Sequence, residues 1–285
     1  APQQEKILGI VAEEMGHNHL GKPIYRRPSG IDDSAQIWDD ISEAYRALRD
    51  GTPSDLIFEI DADDALSNDI WVPRYYWPKL NQDLVAPGDY EVQWRTLGSL
   101  IDQEIISDSS GHGSPASEEK GQGNYTYARV KDIVNWEIYR DPTSSITREL
   151  MLELTNKNPL QKYDIAYVSR GSYRIGDVAM IGPSDTETAL TREIRRFRIN
   201  PESTEEMDPF YFLYLMSTEA VQLQTKSKVL LDTTLPNIGD RYLTLELPWA
   251  VDPQVRKSIS AKVRNALEAK WHAADDIRNL LTSLE

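Results

Sequence analysis

Residues 163–181 read Tyr163-Asp-Ile-Ala-Tyr-Val-Ser-Arg-Gly-Ser-Tyr-Arg-Ile-Gly-Asp-Val-Ala-Met-Ile181. Two short apolar runs, at 165–168 and 178–181, flank a polar centre, and this pattern predicts two strands joined by a turn. Gly171 and Ser172 allow the backbone to turn tightly, so we expect a rigid pair of strands to carry an exposed turn. The side chains that this turn would present outward are Arg170, Tyr173 and Arg174. Arginine on a rigid turn suits phosphates and guanine edges, although a basic hairpin is also common as an ordinary solvated turn.

Length and composition indicate a globular protein. The chain has 285 residues, of which 40% are apolar, enough for a packed core of one or two domains. No apolar run approaches the roughly 20 residues of a membrane helix, and no signal peptide is recognisable. The absence of cysteine excludes disulfides and thiolate metal sites. We therefore expect a cytoplasmic protein with no membrane partner.

The charge of the chain is negative and unevenly distributed. A net charge of −15 argues at first against nucleic acid, because neutralised phosphates supply most non-specific affinity. Residues 1–127 hold 10 Lys/Arg against 23 Asp/Glu, whereas residues 128–198 hold 12 Lys/Arg against 10 Asp/Glu. The middle of the chain is therefore suited to DNA, and the acidic first part is suited to solvent or a basic protein partner.

The first 80 residues are predicted to be largely helical. Apolar side chains at helical spacing predict a helix over 3–16 and another over 35–50, the second capped by Asp32-Asp33-Ser34. A short strand is predicted at 56–60.

Two features of this first part have more than one interpretation. His17 and His19 lie in a polar loop, which without a third convergent ligand is interpreted as exposed rather than metal-binding. The aromatic cluster Trp71–Trp77 would be able to stack bases, but packing of a connector onto a neighbouring domain is favoured. Residues 78–89 are predicted to be a linker.

After Glu91 the pattern changes to short strands and loops. Strands are predicted at 125–138 and 192–199, and a mobile loop rich in Ser, Gly and Glu is predicted at 107–122.

Helical patterns return near the C-terminus. Asp208 is predicted to cap a helix over 209–224, a strand follows at 242–247, and Asp252-Pro-Gln-Val opens a helix that reaches the C-terminus. An apolar stripe from Val255 to Leu281 is long for a helix that packs alone. We therefore expect this helix to pack along another helix, in this chain or in another. Of a homodimer that reads two half-sites and a single-site reader, we favour the homodimer.

Several motifs now occur in a recognisable order. They are Trp94-Arg-Thr-Leu-Gly98, Tyr127-Ala-Arg-Val-Lys-Asp-Ile133, the hairpin Asp164–Gly176, Asp208-Pro-Phe-Tyr-Phe-Leu-Tyr-Leu215 and Ile238-Gly-Asp-Arg241. In this order, and followed by the terminal helix, residues 92–285 resemble a target-recognition domain from the specificity subunit of a type I restriction–modification system. The resemblance implies an α+β protein: a mixed α/β recognition domain with short strands at 92–250, then a long spacer and dimerisation helix at 251–285.

Residues 5–80 are similar to a different protein, the C-terminal part of an N6-adenine DNA methyltransferase of the type I modification-subunit kind. The similarity lies in Ile10-Val-Ala-Glu-Glu-Met-Gly-His-Asn-His-Leu-Gly-Lys-Pro-Ile-Tyr25 and Trp71-Val-Pro-Arg-Tyr-Tyr76. It implies a helical, methyltransferase-tail-like segment at 1–80 and a catalytic core that is missing from this chain. S-adenosylmethionine would bind only to that missing core, so no cofactor is expected here.

The residues needed for such catalysis are not recognisable in the sequence. These methyltransferases hold a flipped adenine with an Asn/Asp-Pro-Pro-aromatic loop. The nearest match is Asp208-Pro-Phe-Tyr211, in which Phe replaces the second Pro and which is predicted to be a helix cap. Four histidines and no cysteine leave few nucleophile–base pairs, so we predict no catalytic residue and no metal site.

The resemblance therefore implies a non-catalytic, sequence-specific DNA recognition module of a phage-defence system. Its partners would be double-stranded DNA, a methyltransferase subunit and restriction subunits. The residues expected at the DNA are Arg129, Lys131, Arg170, Ser172, Tyr173, Arg174, Arg192, Lys226 and Lys228. The two lysines are expected to touch phosphates, and each cation has the alternative of being an ordinary surface charge.

Two other functions use the acidity of the chain. In the first, the acidic N-terminal part and the long helix dock onto methyltransferase or translocase subunits, and DNA binds only within the assembly. In the second, the chain is a DNA-mimic inhibitor of restriction enzymes. The second is disfavoured because the carboxylates of residues 1–127 alternate with apolar positions that are typical of a core.

Overall fold

The computed structural model describes residues 5–18, 20–26, 36–81, 84–171, 173–203, 207–230 and 235–284. Contacts between backbone positions divide the chain into two compact units, Ala1–Asp83 and Leu84–Glu285. This division falls inside residues 78–89, where the sequence predicts a linker. The mixture of helices and short strands confirms the α+β class.

The described residues of the first unit form two small antiparallel sheets, two α-helices and a 3-10 helix. In chain order its elements are β1 (Lys6–Ile10), β2 (Tyr25–Arg26), β3 (Gln36–Ile37), α1 (Asp40–Asp50), β4 (Ile57–Asp61), α2 (Ala62–Asn68) and a 3-10 helix at Pro73–Tyr76. β1 pairs with β4, with Ile7 opposite Ile60, and β2 pairs with β3.

The helix predicted for residues 3–16 is wrong, because β1 occupies its place. The run from Ile7 to Val11 satisfies the spacing of a helix but equally that of a short apolar strand. Pairing with β4, which lies some fifty residues further along the chain, decides between the two.

Helix α1 begins later than predicted and turns its bulky side chains outward. Asp39 caps it, accepting a hydrogen bond from the Ser42 amide at 3.1 Å. The predicted cap, Asp32-Asp33-Ser34, lies outside the described residues. The small Ala44 and Ala47 are buried, whereas large apolar side chains of the same helix are exposed: Ile41, Tyr45 and Leu48.

The aromatic cluster packs inside the first unit. Trp77 is 1% exposed, and its indole Nε1 donates to the Asp55 carbonyl oxygen at 2.8 Å. Trp71, at the other end of the cluster, is 60% exposed. Trp77 is therefore a packing residue, as the sequence favours, but it packs onto the first unit itself and not onto a neighbouring domain.

The second unit is larger and carries the main core. Its elements are β5 (Val92–Thr96), α3 (Leu97–Asp102), β6 (Ile106–Ser110), β7 (Thr126–Ala128), β8 (Ile133–Val134), β9 (Glu137–Ile138), α4 (Arg148–Thr155), β10 (Ile165–Val168), β11 (Val178–Met180), β12 (Thr188–Leu190), β13 (Ile194–Ile199), α5 (Pro209–Ser217), α6 (Glu219–Lys228), β14 (Glu246–Ala250) and α7 (Pro253–Leu284). A sheet in the order β11-β10-β13-β6 lies at its centre, and every residue of β10 is buried.

The predicted hairpin is confirmed, since β10 and β11 pair antiparallel with Ile165 opposite Met180. Two neighbouring predictions need correction. The loop predicted at 107–122 begins as strand β6, which pairs with β13. The strand predicted at 125–138 is broken into β7, a 3-10 turn, and the hairpin of β8 and β9.

The helix predicted over 209–224 is two helices. Thr218 takes an extended conformation, with φ −65° and ψ 148°, and ends α5 before α6 begins. Helix α5 is buried nearly all round, as is typical of a helix at the centre of a core. The strand predicted at 242–247 is instead a 3-10 helix, Gly239–Thr244, followed by β14.

The long terminal helix is confirmed, and part of its apolar stripe is covered by its own unit. Val263, Leu267 and Trp271 are buried in the main core, whereas Ile277 and Leu280 are each 60% exposed. Only the far end of the apolar stripe, at Ile277 and Leu280, is therefore left for a second helix to cover. The homodimer stays a prediction. Among the described helices, none combines the length and apolar composition that a membrane span requires.

Candidate nucleic-acid interface

An open cavity of about 430 Å³ lies at one edge of the second unit. Its lining contains four cations and two tyrosines around a small apolar floor. The lining residues are Ser114, Lys120, Tyr127, Arg129, Val130, Lys131, Gly171, Tyr173, Arg174, Thr191, Glu193 and Leu235. Four of the residues predicted to lie near DNA, drawn from two distant segments, therefore meet at one site.

Strand topology explains why these segments converge. β7 and β12 are parallel, so the residues that follow them, Arg129 and Thr191, leave the sheet at the same end. β10 ends where β13 begins, because Val168 lies opposite Ile194. The loop after β10 and the residues just before β13 therefore reach the same edge of the unit.

The loop between β10 and β11 is held at its base by backbone hydrogen bonds. Gly171 has a φ of +97°, which favours glycine, and its amide donates to the Pro236 carbonyl at 2.8 Å. A Cβ built on Gly171 would lie 3.2 Å from the Glu193 side chain. A larger residue at this position would therefore be strained and would press on the cavity wall.

Arg129 and Lys131 share one carboxylate. The Asp141 Oδ2 atom accepts from Arg129 Nη2 and from Lys131 Nζ, the latter at 2.8 Å. Hydrogen bonds from Lys131 and Thr143 hold the pKa of the Asp141 carboxyl well below its usual range. Asp132, which is almost fully buried, accepts from the Arg129 amide at 2.9 Å and fixes the start of the 3-10 turn.

Arg170 and Arg192 share a second carboxylate, Glu193. Its Oε1 atom accepts from Arg170 Nη2 at 3.2 Å and from Arg192 Nε at 3.3 Å, while Thr191 Oγ1 donates to Oε2. Burial acts to raise the pKa of Glu193, but the hydrogen bonds, led by that of Thr191, lower it overall. Arg170 and Arg192 are thus tied to the cavity through a residue of its lining.

The tip of the loop presents an aromatic ring rather than two free arginines. Tyr173 is 92% exposed. The Arg174 guanidinium lies 5.8 Å from the Tyr173 ring centroid and donates to the Ile133 carbonyl at 2.8 Å and to Asp177 at 3.3 Å. Burial raises the pKa of Asp177. The outward presentation predicted for the turn therefore describes Tyr173, whereas Arg174 is half-buried.

Arg174 also lines a second cavity of about 390 Å³. A tight turn at Asn135 and Trp136 forms part of its wall, and both residues have positive φ, 50° and 69°. Trp136 is fixed by its indole Nε1, which donates to Ser217 Oγ at 2.8 Å. A bulky residue in the left-handed region stores backbone strain, and such strain is often found at binding sites.

The other residues predicted to lie near DNA are not among the described residues that line the cavity. Ser172 lies outside the described residues. Lys226 and Lys228 are on α6 and are not among the residues that line either cavity. Lys226 is exposed, and burial lowers the pKa of Lys228, so only Lys226 has the solvated ammonium expected of a phosphate contact.

Sequence reasoning did not identify Lys120 and Glu193, which line the cavity, or Asp141, which pairs with two of its cations. Lys120 was assigned to the 107–122 loop, yet its ammonium lies 5.8 Å from the ring centroid of Tyr127 at the cavity. Glu193 and Asp141 were not identified, because a carboxylate between cations is visible only once the strands are placed. Among the described residues no group of three or more metal-binding side chains is found, and His19 of the polar loop lies outside them.

Solved proteins that are similar in structure to this chain include the following three. The first is a Type-I restriction-modification system S subunit from M. genitalium, with 17% identity, 69% of this chain and 44% of that chain covered, and a TM-score of 0.44. The second is the HsdS subunit from Thermoanaerobacter tengcongensis, with 12% identity, 85% and 57% covered, and a TM-score of 0.37. The third is the type IIG restriction endonuclease BpuSI, with 9% identity, 79% and 33% covered, and a TM-score of 0.48.

This chain spans between one third and just over half of the length of these solved proteins. No family model matches the sequence, and no curated protein matches it.

Proposed function

We propose that residues 92–285 form a sequence-specific DNA recognition module of a restriction–modification system, non-catalytic in this chain. The observation that carries the proposal is the convergence of Arg129, Lys131, Tyr173 and Arg174 on one open cavity. These residues belong to two of the motifs that carry the sequence resemblance to a specificity subunit, Tyr127–Ile133 and Asp164–Gly176.

The chemistry of the cavity suits a nucleic acid. Lys120 and Lys131 offer flexible ammonium groups that match phosphates, and Arg129 offers a planar fork for bidentate contacts. Tyr173 is exposed at a loop tip, where an aromatic ring is able to stack on a base. Phosphate contacts would position the duplex, and side chains at the loop tip would read base edges.

The finer parts of the proposal concern the assembly. An N6-adenine methyltransferase subunit would bind S-adenosylmethionine and carry out catalysis, and restriction subunits would complete a phage-defence system. Residues 1–80 would then be the tail of such a methyltransferase. The exposed end of α7, with Ile277 and Leu280, is the surface through which a homodimer would form.

The test is selection of duplex DNA by this chain from a randomised pool, at low and at moderate salt, followed by sequencing of the retained fraction. We expect enrichment of a short asymmetric motif. Retention without enrichment, or no retention, would contradict sequence-specific recognition by the isolated chain.

The first unit favours a second candidate function, docking onto a methyltransferase subunit. One side of α1 exposes Ile41, Tyr45 and Leu48, at 53%, 66% and 44% of their surface. An apolar patch of this kind on an acidic unit is typical of a protein–protein interface. In this case the chain alone would bind DNA weakly, and tight binding would require the partner.

The two functions are separated by an order-of-addition experiment. DNA affinity is measured with and without a purified type I modification subunit, for the wild type and for Ile41→Asp/Tyr45→Asp. A partner-dependent affinity that is lost in the double variant supports docking. Equal affinity in all four mixtures supports recognition by the chain itself.

A further inference from the structure

Two cations that line the cavity, and two more beside it, pair with carboxylates of the same unit. Asp141 binds Arg129 and Lys131, and Glu193 binds Arg170 and Arg192. Both carboxylates are largely shielded from water, with side chains 11% and 22% exposed. These cations therefore do not face solvent as independent charges.

The arrangement around Asp141 matches the environment that a phosphate would need. A single oxygen atom, Oδ2, receives a guanidinium N–H from Arg129 and an ammonium N–H from Lys131. A non-bridging phosphate oxygen accepts the same two kinds of donor with the same negative charge. Glu193 Oε1 likewise receives two guanidinium groups, from Arg170 and Arg192.

We propose that Asp141 and Glu193 compete with DNA phosphates for these four cations, and so lower the affinity of the chain for duplex DNA of any sequence. The inference rests on the proposed function and concerns its specificity. A phosphate that approaches Arg129 must either displace Asp141 or remain close to it, and like charges repel. Binding then becomes strong only where base contacts are added to the phosphate contacts.

The competition acts on the sequence-independent part of binding. Neutralised phosphates supply essentially all of the non-specific affinity of a DNA-binding protein. Carboxylates that occupy the cations reduce the number of phosphates neutralised. The net charge of −15 also lowers the affinity for DNA of any sequence, but it is spread over the chain. Asp141 and Glu193 lower this affinity at the cations themselves.

The variants Asp141→Asn and Glu193→Gln test this inference in the full chain. Asn keeps the acceptor that Asp141 offers to the Thr143 amide at 2.9 Å, and Gln keeps an acceptor for Thr191 Oγ1, so both variants retain local hydrogen bonds. The matched control is Asp275→Asn. Asp275 also pairs with an arginine, Arg278, at 2.9 Å, but it lies on α7, and its variant changes the net charge equally.

The measurement is the dissociation constant for a random-sequence duplex over a series of salt concentrations. For each site variant we expect about tenfold tighter binding at low salt. We also expect a slope of log affinity against log salt that is steeper by up to about two, because each variant frees two cations and each freed cation neutralises a further phosphate. Asp275→Asn is expected to leave both quantities close to those of the wild type. Melting temperatures of all three variants check that the fold is kept.

The outcomes separate the inference from the proposed function. Unchanged random-duplex affinity in both site variants, together with motif-specific binding by the wild type, overturns the inference and leaves DNA recognition intact. An equal gain in Asp275→Asn overturns it as well, because net charge alone would then explain the effect. If neither the wild type nor any variant binds duplex DNA at low salt, the proposed function fails and the inference fails with it. Should Asp141→Asn unfold, Glu193→Gln decides the matter alone.

Discussion

The carboxylate of Asp208 accepts a hydrogen bond from the Arg264 guanidinium at 3.0 Å and so joins the start of α5 to α7. Its other oxygen caps α5, accepting from the Phe210 amide at 2.9 Å and from the Ser260 hydroxyl. The motif Asp208-Pro-Phe-Tyr211, which superficially resembles an adenine-binding loop, is therefore committed to helix capping and to holding α7.

We expect Asp208→Ala to lower the free energy of unfolding by about 1–2 kcal/mol, the usual cost of a lost helix cap. Asp208→Asn keeps an acceptor for the Phe210 amide and loses the charge that faces Arg264, so its cost should be smaller. Denaturation by urea measures both. A cost as large for Asn as for Ala would show that the ion pair, and not the cap, is what stabilises this corner.

The terminal helix provides a comparison along its own length. Leu267 is 1% exposed, and Leu267→Ala should lower the free energy of unfolding by about 2–5 kcal/mol through loss of packing. Ile277 is 60% exposed, and Ile277→Ala should change it by less than about 0.5 kcal/mol. Thermal melting at several protein concentrations is the measurement. A concentration-dependent loss at Ile277 would show that the far end of α7 is covered by a second copy.

Tyr173 should matter for DNA and not for stability. Because its side chain is 92% exposed, Tyr173→Ala should leave the melting temperature unchanged. If the ring stacks on a base, DNA binding should weaken by about 1–3 kcal/mol, and Tyr173→Phe should retain most of the affinity. Fluorescence anisotropy with the selected duplex measures this. Equal affinity of the Ala variant and the wild type would remove Tyr173 from the interface.

Arg170 and Arg174 are expected to contribute to affinity for the selected sequence. Replacing each by Ala should cost about 1–3 kcal/mol if it makes a bidentate base contact. The control is Lys257→Ala/Lys262→Ala, which removes two exposed charges from α7. Unchanged affinity in the arginine double variant would contradict the assignment. Because Arg174 also donates to the Ile133 carbonyl, the stability of its variant has to be measured in parallel.

His112 should make the fold sensitive to mild acid. Its Nδ1 accepts from the Leu190 amide at 2.8 Å, and its Nε2 lies 2.8 Å from the Asn158 carbonyl, so the ring is neutral with the proton on Nε2. Burial, reinforced by the charge of Arg196, lowers the pKa of His112 below 6.5. The unfolded chain therefore takes up the proton first, and stability should fall as the pH drops below about 6.5.

The pH effect is measured by urea denaturation at about pH 7.5 and about pH 5.5, a range in which most carboxylates stay ionised. The wild type should lose more stability than His112→Gln between the two values. An identical loss in both proteins would show that other groups cause the effect.

The elements that the sequence predicts correctly have local signals. Strands β10 and β11 are apolar runs separated by a glycine-containing turn, and α7 has a proline near its start and a repeating apolar stripe. The strand β1 was mispredicted because the apolar run from Ile7 to Val11 fits two periods, and its pairing with β4 depends on a segment far along the chain. The sequence does not predict the break between α5 and α6 at Thr218, because a single extended residue between two helices has no glycine or proline to signal it.

The residues of the candidate site also divide into those with a local sequence signal and those whose role depends on distant parts of the chain. Residues such as Arg129 and Tyr173 were identified because a basic or aromatic side chain in a turn is a visible signal. Lys120 and Glu193 were not, because their roles depend on the parallel pairing of β7 with β12 and on where β13 begins. Pairing of distant strands is set by packing of the whole unit, which single-sequence patterns do not contain.

The length of helix α7 fixes how far its exposed end lies from the core of the second unit. Beyond Trp271, its last buried side chain among those described, the helix runs to Leu284, and at about 1.5 Å per residue this is about 20 Å. B-form DNA rises by about 3.4 Å along its axis per base pair, so that length corresponds to about six base pairs. Deleting seven residues there, close to two helical turns, would draw the far end in by about 10 Å while nearly preserving the direction it faces. If two copies of the chain pair through α7 as proposed, the residue count of this helix would set the number of base pairs between the two sequences that they recognise.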